Sequence, residues 1–319
     1  MTRIGFHASH EQHPPSDLLE FVRIAEQVGF DEAMCSDHFA PWLTSQGHSG
    51  FAWSWIAAAL ALTRYPIGLV TAPGQRYHPV IAAQALATVE EMFPGRTWAA
   101  LGSGEALNEH VTGDEWPPKP ERDERLVRSA DVMRRLLSGE KVNADGLVRV
   151  HEARLWTRPE IPPPMLGAAI SPRTAALIAP WADGMITVGG DPNATRRTRE
   201  SYRRAGGTGR TLLQVHVSLA PTREEALAAA RDQWAQGTVP PRLMPDLQQP
   251  EDFGRHADTT DAKLDAAVII GSDEAEVAGR IAAAAAGFDG VFLHYVGTDQ
   301  RAFLQRCEDH LLPELRRLL

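Results

Sequence analysis

Only two cysteines occur among the 319 residues, Cys35 and Cys307, far apart and the first inside an apolar run. That speaks against a disulfide framework and for two buried, reduced thiols in a reducing compartment. Lysine is nearly missing as well: most of the 32 basic residues are arginine, and the net charge is -9. A chain this acidic offers no clustered basic field for phosphate backbones, so no nucleic-acid partner is expected. No apolar run approaches the ~20 residues needed to span a bilayer. A solenoid repeat and a low-complexity tail are also lacking. The opening Met1-Thr-Arg-Ile-Gly-Phe6 enters a strand-like segment with no signal-peptide pattern. The expectation is a cytoplasmic protein with no membrane partner.

What is present is an ordinary globular composition, 43% hydrophobic and 23% charged, with length enough for a large core. Strand-like runs fall at 4–8, 33–36, 67–71, 99–101, 164–168, 184–188, 212–219 and 290–294. Helical patterns separate them. One is capped by Ser16-Asp17 and runs to about Val28, one spans 51–63, and one opens with Pro79 and runs to about Met92. Others cover 121–137, 172–179, 193–205, 222–236, 273–286 and 300–318. Residues 142–150 read as a hairpin turned by Asp145-Gly146. Eight strand–helix alternations without a break in composition predict an α/β fold, a (β/α)8 TIM barrel, as one domain over 1–319. The stretch 238–261, rich in Pro, Asp and Gln, reads as a surface insertion. An open doubly wound sheet would carry a glycine fingerprint after its first strand, where this chain has His7-Ala-Ser-His-Glu-Gln-His-Pro-Pro15.

Two segments sit where strands run out into loops: Ser36-Asp-His-Phe-Ala-Pro-Trp42 and Leu101-Gly-Ser-Gly-Glu-Ala-Leu-Asn-Glu109. In a barrel, loops at the strand C-termini converge over one cavity. His38 is then a natural acceptor for a substrate hydroxyl proton. Asp37 points the other way along the strand and is expected to bond to loop or backbone groups. Gly102 and Gly104 let the backbone approach a flat ligand, and Glu105 between them and the next helix, partly desolvated, would have a raised pKa and could protonate a reduced ring nitrogen. Asn108 and Glu109 extend the set. His7, His10 and His13 invite a metal reading. Metal-dependent hydrolase barrels, however, carry a close His-x-His pair on the strand, and Pro14-Pro15 prevents a helix that would align these rings. No metal is therefore expected, and Glu11 reads as a second acid/base or a hydroxyl ligand. Gln214, His216 and Ser218 share one strand face. His216 there, and His294 on the last strand, are either core histidines or reactants.

Glu11-Gln12, Ser36-Asp-His-Phe39, Pro41-Trp42, Ser54-Trp55, Arg76-Tyr77, Pro79, Gly102-Ser-Gly-Glu-Ala-Leu-Asn-Glu109, Asp299-Gln300-Arg301 and Phe303-Leu304 closely resemble the coenzyme F420-dependent glucose-6-phosphate dehydrogenase family. That family belongs to the luciferase-like (LLM class) flavin and deazaflavin barrels. The resemblance implies FMN or coenzyme F420 as cofactor, a small-molecule substrate and a homodimer. It implies His38 as base, Trp42 steadying the reacting centre, Glu105 protonating the reduced ring and Glu11 in the same pocket. Around the cofactor it places Asp37, Leu69, Val70, Gly102, Ser103, Gly104, Asn108, Ala168, Ala169, Ile170 and Ser171, with a non-prolyl cis peptide near Leu69-Val70. Three departures stand out. The loop after the sixth strand reads Val188-Gly-Gly-Asp191, with an acid where the family has a cation; Asp265-Ala-Ala267 precedes Val268 without lysine; and Ile170-Ser171 replaces a glycine pair. A dianionic phosphate needs cationic or N–H-rich partners. The substrate expected is therefore a non-phosphorylated sugar or alcohol, or a carbonyl compound, and the chain looks most like a subgroup that uses FMN. With FMN, oxidase or monooxygenase chemistry becomes open; with a deazaflavin, a dehydrogenase is implied. The alternatives are a metal-dependent hydrolase barrel using His7, His10 and His38, and a non-catalytic flavin-binding protein.

Overall fold

A computed structural model describes residues 2–319. Eight parallel strands close into a barrel: β1 (Arg3–Ala8), β2 (Glu32–Ser36), β3 (Ile67–Thr71), β4 (Thr97–Leu101), β5 (Met165–Ala168), β6 (Gly184–Val188), β7 (Arg210–Leu219) and β8 (Gly290–Tyr295). The ends of the chain meet where β1 pairs with β8, from Arg3↔Gly290 to Phe6↔Leu293, and β7 completes the ring by pairing with both β6 and β8. Helices cross between successive strands, as parallel pairing requires. Beyond β6, the free upper edge of β7 is taken by a short strand, Ile269–Gly271, registered on Val217–Leu219. Three residues are too few to show a period in the sequence.

Strand residues alternate between two cores. Outward-facing Phe6, Ala33, Leu69 and Leu101 pack under the helices. Inward-facing Met34, Trp98, Ala100, Leu166, Ile186, Leu212 and Phe292 fill the barrel, with Val70 and Ala168 lying against them. Trp98 and Phe292 meet edge to face at 5.8 Å. A Cβ at Gly68 would stand 2.0 Å from the Trp98 indole, so glycine is what admits that ring. The interior is thus a packed floor and not a channel. A further cluster caps the mouth, where Trp42 and Trp234 bury against Phe253, Leu264, Val268 and Ile270.

Several expectations change in detail. The first helix is Pro15–Gln27, with Pro14 as an extended N-cap, so Ser16 and Asp17 lie inside the first turn instead of capping it. Proline at the first helical position has no N–H to leave unpaired, and Asp17 complements the helix dipole there. The hairpin strands Val142–Ala144 and Val150–Ala153 pair antiparallel, but residues 145–149 join them in place of a two-residue turn. The last helix is broken into Gln300–Arg306, a wide turn Cys307–Leu311 and Leu312–Leu318. Pro313 has no N–H to return to Asp309, which accounts for the widening. Residues 238–261 hold a short turn, Met244–Asp246, and the helix Pro250–His256. Among the described residues no helix is long and apolar enough to cross a membrane.

Candidate active site

The candidate side chains lie on loops that follow strand ends. Past β2 the chain turns at His38, and Ser49 Oγ donates to the His38 carbonyl at 2.7 Å to hold the loop. Glu11, just past β1, is buried, with Oε2 accepting from Ser9 Oγ at 3.0 Å. Its Oε1 lies 3.4 Å from His38 Nε2. Trp42 stacks tilted beside His38, ring centroids 4.9 Å apart, and its other side meets Phe253 edge to face at 5.1 Å. Gln46 fixes that turn, accepting from Trp42 N–H at 2.8 Å and donating to the Gln233 carbonyl at 2.9 Å. His38, Glu11 and Trp42, distant in sequence, are therefore brought to one spot.

The glycine loop after β4 lies alongside. Glu105 N-caps the short helix Ala106–Glu109, and its carbonyl accepts from Asn108 N–H at 3.0 Å. Burial, then the nearby charges of Glu109 and Glu11, push the Glu105 carboxyl up to about 7, with Arg122 opposing. Burial likewise raises Glu11 and lowers His38 to about 4, where Arg76 adds to the lowering. Near neutral pH the imidazole is uncharged and Glu105 is poised to hold or release a proton.

Asp37 is occupied by its own network. Its oxygens accept from Thr71 Oγ1 at 2.9 Å and Tyr77 OH at 3.2 Å, and Arg76 pairs with it at 3.2 Å and with Glu109 at 3.7 Å. This loop-bonding role is the one its position on the strand suggested. Leu69 and Ala169 turn outward into the helix-facing core, so only their backbones border the mouth. The peptide expected to be cis near Leu69-Val70 is not: among the described residues no cis bond occurs. Both residues sit in regular ladder register, Cys35↔Leu69 and Ser36↔Val70 on one edge, Leu69↔Ala99 and Val70↔Ala100 on the other.

Small side chains face the mouth above the filled interior. Val70 and Ala168 present small apolar faces there, and a Cβ at Gly102 would find nothing nearer than Ala168 Cβ and the Thr71 carbonyl, both at 3.8 Å. A side chain at 102 would fill that seat. Gly104 adopts φ 79° and lies under Trp116 and Glu109. Ser103 and Gly104 line a recess with Arg122 and Arg125. At the far rim Ser171 caps the helix Pro172–Ile178, and Ile170 is 66% exposed.

The sequence leaves the roles of His7, His216 and His294 open, and the structure shows what they touch. His294 is buried, its Nε2 2.9 Å from Gln12 Oε1 and its Nδ1 3.3 Å from Gln214 Nε2. It stacks on His7 at 4.2 Å, and Trp234 covers both His294 at 4.3 Å and His216 at 4.4 Å. Burial holds His7 and His294 well below the ordinary histidine range and His216 at about 3. His10 packs edge to face on Trp55. Among the described residues no group of three His, Cys, Asp or Glu side chains is arranged to hold a metal. Trp234 and Gln12 had no local motif beyond the Glu11-Gln12 pair. They are found by what packs beside them.

Comparison with known proteins places this geometry. Residues 1–290 match the family described as luciferase-like monooxygenase. An F420-dependent glucose-6-phosphate dehydrogenase of Microbacterium testaceum is 36% identical over 329 residues, covering 99% of this chain and 98% of that one. A solved F420-dependent secondary alcohol dehydrogenase, in complex with an F420-acetone adduct, superposes with a TM-score of 0.91 at 31% identity, covering 99% of each chain. The coenzyme F420-dependent tetrahydromethanopterin reductase of Methanopyrus kandleri, at 19% identity and a TM-score of 0.78 over 98% of this chain and 99% of that one, shares the fold.

Proposed function

We propose, from the premise that this chain belongs to the luciferase-like monooxygenase family, that it is an oxidoreductase passing a hydride between a small uncharged alcohol, or the matching carbonyl compound, and a bound FMN or coenzyme F420. The observation that carries the reading is the convergence of His38, Glu11 and Trp42 beside the flat seat at Gly102 and Ala168. When bound, either cofactor supplies a ring that takes or gives the hydride. Val70, Gly102 and Ala168 would form the surface it lies on, with Ser103, Gly104, Asn108, Ile170 and Ser171 along its edge. Glu105, half-protonated near neutrality, would give or take the proton at the ring nitrogen. The His38–Glu11 pair would receive the substrate hydroxyl proton, and Trp42 would close that corner against water.

Charge disposition supports an uncharged substrate. Asp191 caps the helix Pro192–Arg204 by accepting from Asn193 N–H, Arg223 is paired with Asp265, and Arg122 is held by Asp246 at 3.1 Å. A phosphate would meet carboxylates or arginines already engaged. Nothing favours the hydrolase alternative. The same proposal includes a homodimer, for which the exposed Phe51, Leu62 and Ile81 offer apolar surface, and a cytoplasmic location, which the two free buried cysteines suit. It treats 1–319 as one functional unit.

The test is a spectral titration of the purified protein with coenzyme F420 and with FMN, followed by anaerobic addition of secondary alcohols, unphosphorylated sugars and glucose 6-phosphate. The names of the relatives make F420 the first to try. Expected is saturable binding of one cofactor and its reduction by an uncharged alcohol. Binding of neither, or reduction by glucose 6-phosphate in preference to every neutral alcohol, overturns the reading.

A further inference from the structure

Asn108 lies between the two loops of the site, and its amide has a determined orientation. Phe39 N–H donates to Asn108 Oδ1 at 2.8 Å. Reversing the amide would set its NH2 against that N–H, donor against donor. The NH2 therefore faces the other neighbour, His38 Nδ1, at 3.2 Å. It can only donate, so Nδ1 must present its lone pair. An uncharged imidazole carries one proton, and here that proton is left to Nε2. Nε2 stands 3.4 Å from Glu11 Oε1, longer than a good N–H···O bond, so the donor and the carboxylate are neighbours that do not close on each other.

We propose that Asn108 is a positioning residue that keeps the His38 ring proton on Nε2, so that His38 donates to the substrate oxygen and Glu11 takes the hydroxyl proton. The proton balance leaves no other assignment within the pair. With Nδ1 engaged and Nε2 protonated, His38 has no free lone pair for the incoming proton. In alcohol oxidation the cofactor, when bound, would supply the acceptor for the hydride that leaves with the electrons of the C–H bond. The O–H bond breaks with its proton going to a Glu11 carboxylate oxygen, and the C=O bond forms under the Nε2–H hydrogen bond. Burial favours this division. It lowers the proton affinity of His38 and raises that of Glu11, bringing the carboxylate closer to what a base needs. The role rests on reading the site as an alcohol-oxidising centre, but its first test does not.

That test is the 15N spectrum of the histidine rings in the intact protein, without and with cofactor, the His38 signals being those lost in His38→Gln. Expected is a protonated Nε2 and an unprotonated Nδ1. Asn108→Asp keeps the acceptor for Phe39 N–H but offers His38 a second acceptor, so the ring proton should move to Nδ1. The alcohol kcat should then fall about 10- to 100-fold, the range for an orienting partner, with little change in KM. Asn108→Ala, which leaves Nδ1 without a partner, should mix the two tautomers and serves if the aspartate variant does not fold. A wild-type His38 protonated on Nδ1, or a ring pattern unchanged in both variants, overturns the assignment. The expected ring pattern in a protein that oxidises no alcohol overturns the redox reading and leaves the Asn108 role standing.

Discussion

Glu105 shows how much of this site is set by surroundings. Its carboxyl, pushed up to about 7 from 4.5 by burial and by Glu109 and Glu11, is uncomfortable when ionised. A folded-state pKa above the unfolded one means stability that is fully present below about pH 4.5 and is lost as pH rises through about 7. Glu105→Gln removes that loss. The variant should melt close to wild type at pH 4 and measurably above it at pH 8, and thermal unfolding across that range checks it. Parallel curves would show that Glu105 is not perturbed. That an acid stands here was legible, because Gly102-Ser-Gly-Glu105 follows an apolar strand. Glu109 and Glu11 were named with it, but their arrangement was not legible: Glu109 faces Arg76 and Glu11 comes from another strand end, so the field acting on Glu105 exists only after folding.

At the scale of elements, the segment between the helix Arg223–Gln233 and the short strand Ile269–Gly271 decides what covers the site. Phe253 on the helix Pro250–His256 is fully buried and supports Trp42 from above. Asp246 ties the segment down, accepting from Trp116 Nε1 at 3.0 Å and Arg122 Nη1 at 3.1 Å. Phe253→Ala should cost about 3–5 kcal/mol through the cavity it leaves, read in denaturant titrations. It should also weaken alcohol oxidation by loosening Trp42. A loss below about 1 kcal/mol would mean that the segment collapses onto the gap. The sequence marks 238–261 as an interruption of the strand–helix rhythm by its Pro, Asp and Gln content. It does not reveal that one phenylalanine inside reaches a tryptophan some two hundred positions earlier, because contacts between such segments have no period.

For the whole molecule, the consequence of closure is a filled interior with its chemistry at one end. Gly68 shows the tolerance. Placing a methyl there sets it 2.0 Å from the Trp98 ring, which in turn packs on Phe292. Gly68→Ala should destabilise by about 1–3 kcal/mol through overpacking, measured by chemical denaturation. Because the same layer supports Val70 and Ala168, it should also lower cofactor affinity in the titration above. Unchanged stability with unchanged binding would show the floor to be more yielding than its packing implies.

By itself the sequence determined the strand–helix alternation, hence the barrel, and the strand-end positions of His38, Glu11 and Glu105. Those depend on hydrophobic period and on residues next to one another in the chain, which need no partner to be read. Tertiary structure alone decided that His38 and Glu11 meet, which way Asn108 points, that Asp37 is spent on Arg76, Thr71 and Tyr77, that Trp234 covers His216 and His294, and that Phe253 backs Trp42. Each of these depends on distances between residues far apart in sequence, and on burial, which exists only once the ring of strands has closed.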